Sequence, residues 1–348
     1  MIRAAGAGRE DDGLAAPGGA SREALTEAAR VLATAGDVVL LAHVNPDADA
    51  LGSALALGMA LRDRGASVRV SFGSPERLPS SLQDLDVEGL FVPAGQLPET
   101  STLVVLDTGA EQRLGPLAER IRSTTDRGGN VVVVDHHLGN TRYGTHHVID
   151  EGAEATAVLV LELLDELGVE LDRRLARCLY AGLATDTRSF RAARPSTHRT
   201  AARLLEAGVD PAATIKPLLD THPFAWLRVL SGVLRDAQLE ESAVGGLGFA
   251  HATVTLEQSR GVRGEEIDSV VDLLRTAAEA EVTAVLKEVA PGTWSVSLRA
   301  ESGVDVSWAA RACGGGGHRL AAGFTQHAPA SQVLASLRSA LEQAPRIR

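Results

Sequence analysis

The sequence is poor in aromatic residues and has only two cysteines. Phe, Trp and Tyr make up 3% of its 348 residues, so side chains on which a long single strand of nucleic acid could stack are scarce. Cys178 and Cys313 do not form a CxxC pair, which argues against both a zinc knuckle and a disulfide framework. We therefore expect two reduced thiols, as in a cytoplasmic protein.

Excess positive charge and long apolar runs are also missing. The formal net charge is −11, whereas a general binder of the nucleic-acid backbone is basic. Any nucleic-acid substrate is therefore expected to be short, with no binding of long duplexes. No apolar run is long enough to span a membrane. Residues 1–20 lack the apolar core of a signal peptide and predict a disordered tail.

Buried strands that alternate with helices dominate the first half of the chain. Residues 131–134 are four consecutive valines, which is typical of a strand covered on both faces of a parallel sheet. Similar apolar runs occupy residues 38–42 and 103–106, and stretches with helical spacing separate them. The pattern predicts an α/β fold with a doubly wound, mainly parallel sheet.

Ionisable side chains follow three of these strands. In open α/β sheets ligands bind at the carboxyl ends of the strands, and buried carboxylates need partners. For each motif alone, a helix cap or a turn residue remains an alternative. The residues are His43, Asp47 and Asp49 after the first strand, Asp107 after the second, and Asp135, His136 and His137 after the third.

One more carboxylate, Asp186, follows an apolar helical stretch at residues 175–183. The collected donors are carboxylate oxygens and imidazole nitrogens without thiolates, which suits Mn²⁺ or Mg²⁺, with Co²⁺ and Zn²⁺ as alternatives. Two such ions roughly 3.5–4 Å apart can activate water for in-line attack at phosphorus. The residues therefore point to a phosphoesterase.

The second half contains a run of four glycines, residues 314–317, followed by His318 and Arg319. Backbone N–H groups of such a run can approach an anion closely, and the stretch that follows it looks helical, so its N-terminus could contribute as well. The neighbouring residues Arg299, His318 and Arg319 favour a phosphate site. A flexible turn is the alternative.

These motifs, in this order, resemble the DHH phosphoesterase superfamily over residues 25–340. Within it, the chain is most similar to the bifunctional oligoribonucleases and pAp phosphatases. Pro211, Pro217 and Pro223 predict an interdomain linker at 208–224. The resemblance implies a catalytic DHH domain at 21–207 and a smaller α/β DHH-associated domain at 225–345, with a cleft between the domains. The matching motifs are His43-x-x-x-Asp47-x-Asp49, Asp107-Thr108-Gly109, Asp135-His136-His137 with Asn140, Asp186-Thr187-x-Ser189-Phe190, and the GGGGH sequence that ends at His318.

The resemblance also implies roles for these residues. One Mn²⁺ would be held by His43, Asp47 and Asp107, and a second by Asp49, Asp107, His136 and Asp186, so that Asp107 bridges the ions; Mg²⁺ or Co²⁺ could replace Mn²⁺. Asp135 would orient the histidine pair, and His137 would act as an acid or stabilise the transition state. The substrate residues would be Arg299, Gly315, Gly316, Gly317, His318, Asn140 and Arg188. Arg188 replaces the glycine usual in the family, which leaves the substrate preference open.

The implied substrates are short RNA, pApA derived from cyclic di-AMP, and 3′-phosphoadenosine 5′-phosphate (pAp), and assembly as a homodimer is left open. A family-II inorganic pyrophosphatase shares the metal motifs but lacks the GGGGH sequence. A non-catalytic cyclic-dinucleotide binding protein would keep the glycines without needing the whole set of metal ligands. A RecJ-type nuclease would carry further DNA-binding surface, which the acidic balance does not suggest.

Overall fold

The computed structural model describes residues 20–347, which form two compact units divided between Asp220 and Thr221. Except for Ala20, the tail predicted at residues 1–20 lies outside the described residues. No helix in the described part of the chain combines the length and the apolar character needed to cross a lipid bilayer.

The first unit is built on a five-stranded sheet with strand order β2-β1-β3-β4-β5. All neighbouring strands are parallel, which confirms the parallel α/β fold expected from the sequence. The strands are β1 (Asp37–Ala42), β2 (Ser67–Phe72), β3 (Thr102–Leu106), β4 (Asn130–Asp135) and β5 (His146–Ile149). The helices are α1 (Arg22–Ala33), α2 (Ala48–Asp63), α3 (Glu119–Asp126), α4 (Thr156–Glu166), α5 (Arg173–Asp186), α6 (Pro195–Glu206) and α7 (Pro211–Leu219).

Both faces of this sheet are buried, as the unbroken valine run predicts. Val132 and Val134 of β4 pack into one hydrophobic core together with α2, α4 and α5. Val131 and Val133 pack into a second core on the other face, with Ile121 of α3. Because successive side chains of a strand point to opposite faces, a strand between two cores is apolar at every position.

The second unit contains a six-stranded sheet with strand order β10-β11-β9-β8-β7-β6. Only β7 and β8 pair in parallel within it. The strands are β6 (Gln238–Glu240), β7 (Phe249–Val254), β8 (Val282–Ala290), β9 (Thr293–Ala300), β10 (Gly316–Gly317) and β11 (Ala321–His327). The helices are α8 (Phe224–Arg235), α9 (Ala243–Gly246), α10 (Gly264–Leu274), α11 (Val306–Ala312) and α12 (Ala330–Glu342).

The division between the two units falls within the segment predicted as a linker, 208–224. Most of this segment belongs to the first unit, because it contains α7, and Ile215 and Leu218 of α7 pack against the core of that unit. One local expectation differs from the structure. The stretch after the four glycines is the strand β11, not a helix. The run therefore has no helix after it whose N-terminus could bind an anion.

Candidate metal centre

The predicted ligands come together at one edge of the parallel sheet. Strand β3 lies between β1 and β4, so the residues that follow these three strands are neighbours in space. His43 follows β1, Asp107 follows β3 and His136 follows β4. The helices α2 and α5 add Asp49 and Asp186 from their first and last turns.

Among residues 20–347, three overlapping groups of side chains have the geometry to hold a cation. Within each group the potential ligand atoms lie within 4.8 Å of one another. Asp107 belongs to two of the groups and His136 to two. The groups are His43, Asp47 and Asp107; Asp107, His136 and His137; and Asp49, His136 and Asp186.

Asp107 faces His43 with one oxygen and both His136 and His137 with the other. Its Oδ2 lies 3.6 Å from Nε2 of His43, and its Oδ1 lies 3.4 Å from Nε2 of His136. The residue adopts φ 54°, a left-handed conformation that costs a non-glycine residue roughly 1–2 kcal/mol. Its N–H donates to the carbonyl of Val134 at 3.0 Å, which helps to hold this conformation. Such strain at a buried carboxylate is typical of functional sites.

The imidazoles of His43 and His136 are oriented by backbone carbonyls. Nδ1 of His43 lies 2.8 Å from the carbonyl of Val44, and Nδ1 of His136 lies 3.2 Å from that of Ala153. A carbonyl only accepts hydrogen bonds, so in both residues Nδ1 carries the proton and donates it. The Nε2 atoms therefore face the carboxylates, the arrangement found in histidines that bind metals.

Asp47 caps a helix and also reaches the cluster. Its Oδ1 accepts hydrogen bonds from the N–H groups of Asp49 and Ala50 at the start of α2. Its Oδ2 lies 3.7 Å from Nε2 of His43. Helix capping thus accounts for Oδ1 of Asp47, whereas Oδ2 belongs to the cluster. Since 53% of the side chain is exposed, the cluster is open to solvent at Asp47.

Charges within the cluster favour a cation. Burial lowers the pKa of His43, but the hydrogen bonds and charges of Asp107 and Asp47 outweigh this effect and raise the pKa to about 10. His136 is affected in the same way, and its contacts with Asp186 and Asp49 raise its pKa to about 11. Burial, followed by the charges of Asp47 and Asp107, raises the pKa of Asp186 to about 6. The aspartates create a local potential in which positive charge is stabilised.

Asp135 is completely buried and holds His137. Its Oδ1 accepts a hydrogen bond from Nδ1 of His137 at 2.7 Å. Its Oδ2 accepts one from Nδ2 of Asn140 at 2.6 Å. The resemblance predicts that Asp135 orients both histidines, but in the structure His136 is held by the carbonyl of Ala153 instead.

Asn140 is predicted from the resemblance to bind substrate, and the structure gives its amide other partners. Besides Asp135, its Nδ2 donates to the carbonyl of Thr108 at 3.3 Å, and its Oδ1 accepts from the N–H of Arg142 at 2.8 Å. Both ends of the amide are thus committed to the protein. Asn140 fixes Asp135, and through it His137.

Arg188 begins a left-handed turn directly after Asp186 and Thr187. Arg188, Ser189 and Phe190 have φ values of 52°, 55° and 65°. The side chain of Arg188 is exposed, and within residues 20–347 its guanidinium makes no hydrogen bond or ion pair. The structure therefore places a free cation two residues from Asp186.

The glycine run of the second unit has a packing role at two positions. A Cβ on Gly315 would collide with the carbonyl of Gly323, and a Cβ on Gly317 would lie 2.6 Å from Cα of Ala322. The N–H of Gly315 already donates to the carbonyl of Ala310. Close packing against β11 therefore explains Gly315 and Gly317, while a Cβ on Gly316 would meet nothing within 4 Å.

Arg299 and His318 lie at the same end of the second sheet. Arg299 of β9 pairs with Ala321 of β11, and the N–H of His318 donates to the carbonyl of Ala321 at 2.8 Å. Arg299 also forms an ion pair with Asp272 at 3.3 Å. The backbones of the two residues predicted to hold a phosphate thus lie close together at this end of the sheet.

Two residues of the centre were missed by the sequence analysis. Thr156 donates its hydroxyl proton to Oδ1 of Asp107 at 2.9 Å. Gly182 of α5 packs so closely on Asp49 that a Cβ would lie 2.5 Å from Oδ1 of Asp49. The sequence held a signal for Gly182, a glycine inside a helical pattern. For Thr156 the signal appears only in the structure, where α4 follows Ala155, a residue whose side chain cannot cap a helix.

Comparison with known proteins supports the fold and the motifs. The model of the DHH family N-terminal domain matches residues 37–183, and that of the DHHA1 domain matches residues 247–345. The bifunctional oligoribonuclease and PAP phosphatase NrnA of Thermus thermophilus is 34% identical over 84% of this chain and 85% of that protein. Its namesake from Bacillus subtilis is 24% identical over 90% of this chain and 97% of that protein. The structure of an exopolyphosphatase-related protein from Bacteroides fragilis superposes with a TM-score of 0.83 at 20% identity, covering 93% of this chain and 97% of that one.

Proposed function

Because the chain belongs to the DHH family of phosphoesterases, we propose that it hydrolyses short oligonucleotides and pAp at a centre of two divalent cations. The relatives named as oligoribonucleases and pAp phosphatases support this choice of substrates. The observation that carries the proposal is Asp107, whose two oxygens face two separate histidines. A carboxylate placed in this way is suited to bridge two cations.

The residues of the centre fit two cations, each with oxygen and nitrogen donors. His43, Asp47 and Asp107 would hold the first, and Asp49, Asp107, His136 and Asp186 the second. Both histidines present Nε2, because their Nδ1 atoms donate to carbonyls. Oδ1 of Asp49 accepts hydrogen bonds from the N–H of Ala157 and the hydroxyl of Ser53. Its Oδ2 accepts one, from the N–H of Thr156, and keeps a lone pair for a metal. This donor set suits Mn²⁺, and also Mg²⁺ or Co²⁺.

His137 is the side chain best placed to handle a proton in this reaction. Bound divalent cations supply Lewis-acid stabilisation of the phosphate oxygens and lower the pKa of the attacking water. Asp135 accepts the Nδ1 proton of His137, so Nε2 is the atom that can give a proton to the leaving oxygen. Asn140 keeps Asp135 in the orientation that this requires.

The second unit would contribute substrate binding. We assign the terminal phosphate or nucleotide to Arg299 and His318, with the backbone of Gly316, because these groups lie at one end of the second sheet. A charge-assisted contact of this kind contributes about 1.5–3 kcal/mol. Remote binding energy of this kind can orient the reacting phosphate. Dinucleotides that carry a 5′-phosphate are therefore expected to be better substrates than long chains.

The test is hydrolysis by the purified protein with Mn²⁺ of pAp, pApA, short RNA, short DNA and pyrophosphate. Asp107→Ala is expected to abolish hydrolysis of every substrate and to lower the number of bound Mn²⁺ ions. Asp172→Ala is the matched control, since it also removes a carboxylate from the first unit, at the cap of α5. It is expected to keep both hydrolysis and metal content.

Two results would contradict the proposal. If Asp107→Ala kept two bound ions and more than a few per cent of the activity, Asp107 would not bridge the cations. If pyrophosphate were hydrolysed and the nucleotides were not, the protein would be a pyrophosphatase. A comparison of Arg299→Ala on pApA and on bis-p-nitrophenyl phosphate tests the second unit, because the small diester lacks the terminal phosphate assigned to Arg299.

A further inference from the structure

We propose that Thr156 is a positioning residue that fixes the carboxylates of Asp49 and Asp107 for cation binding. The proposal rests on the proposed function, because it concerns the same centre. Thr156 is not one of the assigned ligands and is fully buried. It is the first residue of α4, and it contacts both aspartates at once.

The backbone of Thr156 holds Asp49. Its N–H donates to Oδ2 of Asp49 at 2.6 Å, and the N–H of Ala157 donates to Oδ1 at 2.9 Å. Ala155, at the N-cap position of α4, has no side chain that could accept these hydrogen bonds. Asp49, which is distant in sequence, therefore takes the place of a capping residue, and the first N–H groups of α4 fix both of its oxygens.

The side chain of Thr156 holds Asp107. Its hydroxyl donates to Oδ1 of Asp107 at 2.9 Å, and Oδ1 is the oxygen that faces His136. A hydroxyl has a single proton to donate, so this bond selects one orientation of the carboxylate. Oδ2 then remains directed at His43. The bond thus keeps Oδ1 of Asp107 directed at His136 and Oδ2 directed at His43.

These contacts act as a rigid connection between two acidic side chains from different elements. Asp49 is fully buried and Asp107 is 3% exposed, so water cannot replace a lost donor without rearrangement of the core. Two carboxylates close together repel each other when no cation is bound. Donors from Thr156 offset this repulsion and keep the carboxylates in place, which reduces the reorganisation needed when a cation enters. Hydrogen-bond partners of metal ligands typically change metal affinity by about 10–100-fold.

The experiment measures Mn²⁺ binding by the full-length protein without substrate, using isothermal titration calorimetry and electron paramagnetic resonance of free Mn²⁺. Thr156→Val removes the hydroxyl, keeps the shape and leaves the backbone N–H in place. We expect Mn²⁺ affinity to fall about 10–100-fold and Thr156→Ser to restore most of it. In hydrolysis assays the loss should shrink at saturating Mn²⁺, and KM for pAp should stay unchanged.

Thr100→Val is the matched control. Thr100 also donates its hydroxyl to an aspartate, Oδ2 of Asp37, at 2.7 Å, but this pair lies at the opposite edge of the sheet, beside the start of β1. Its loss should lower stability and leave Mn²⁺ affinity unchanged. Thermal unfolding verifies that each variant is folded, and Thr156→Ala replaces Thr156→Val if valine is not tolerated.

The outcomes separate this proposal from the proposed function. Unchanged Mn²⁺ affinity in Thr156→Val or Thr156→Ala would overturn the positioning role, and so would a failure of Thr156→Ser to restore affinity. An equal loss in Thr100→Val would show a general effect of destabilisation and would also overturn it. A wild-type protein that binds Mn²⁺ but hydrolyses none of the substrates would overturn the proposed function and leave the role of Thr156 standing.

Discussion

Replacing Gly182 by alanine is expected to destabilise the metal-free protein, although the same change usually stabilises a helix. Gly182 lies inside α5, where alanine would normally gain about 0.5–1 kcal/mol. A Cβ at this position would lie 2.5 Å from Oδ1 of Asp49, 2.9 Å from its Cα and 3.2 Å from Cβ of Ala157. The new methyl group would therefore press on a buried carboxylate whose oxygens are already fixed.

The magnitude follows from these two opposing effects. Overpacking of a core costs about 1–3 kcal/mol, so the steric effect exceeds the gain in helix propensity. A net loss of about 1–2 kcal/mol lowers Tm by about 2–8 °C in a domain of this size. If Asp49 moves away instead, its hydrogen bonds from Thr156 and Ala157 are weakened, each of which contributes about 0.5–1.5 kcal/mol. Mn²⁺ affinity should then fall as well.

The assay compares Gly182→Ala with Gly232→Ala by calorimetry of the metal-free protein. Gly232 lies inside α8, and a Cβ there would meet nothing within 4 Å. Gly232→Ala should therefore raise the stability of the second unit by about 0.5–1 kcal/mol, while Gly182→Ala lowers that of the first. Equal stabilisation by both substitutions would refute the close packing of α5 on Asp49.

Three further predictions concern other parts of the chain. Arg188→Gly should stabilise the protein by about 1 kcal/mol, because glycine adopts a positive φ without strain. It should also change the ratio of pAp turnover to dinucleotide turnover. If both rates change in proportion, Arg188 is only a surface charge. The hydrogen bond from Thr100, followed by that from the N–H of Ser101, lowers the pKa of Asp37 in the folded protein. This carboxylate therefore stabilises the fold at pH values above its ordinary pKa of 3.8. The stabilisation is lost as the pH falls through the lowered pKa. Urea unfolding of Thr100→Val should thus show its largest deficit at neutral pH and a smaller one near pH 3, and a deficit independent of pH would contradict the role of Asp37. Burial raises the pKa of Cys178 to about 12, so Cys178→Ser should leave the metal content measured by mass spectrometry unchanged, and a loss of metal would show that a thiolate is involved.

The ligands of the candidate centre could be located from local patterns. Unbroken apolar runs mark strands buried on both faces, and parallel strands end at a common edge of the sheet. Polar residues after neighbouring strands, such as Asp107 and His136, must then lie close together. This reasoning needs only the order of the residues, because alternation and strand direction are properties of the backbone.

Asp107 and Asn140 show where such reasoning stops. A sequence places Asp107 at a strand end but does not show that its two oxygens face different histidines. It also does not show that both ends of the Asn140 amide are used within the protein. These features depend on side-chain torsions, which packing of the surrounding elements determines.

The amino-acid sequence alone determined the parallel sheet, the edge where the acidic and imidazole side chains meet, and the family to which the motifs belong. The tertiary structure alone decided the roles of Thr156 and Gly182. Their contacts with Asp49 and Asp107 join parts of the chain that are far apart in sequence. Thr156 and Asp49, for example, are separated by 107 residues. Periodicity reports only on neighbours along the chain. A hydrogen bond or a close approach between distant segments exists only once the fold has placed them side by side.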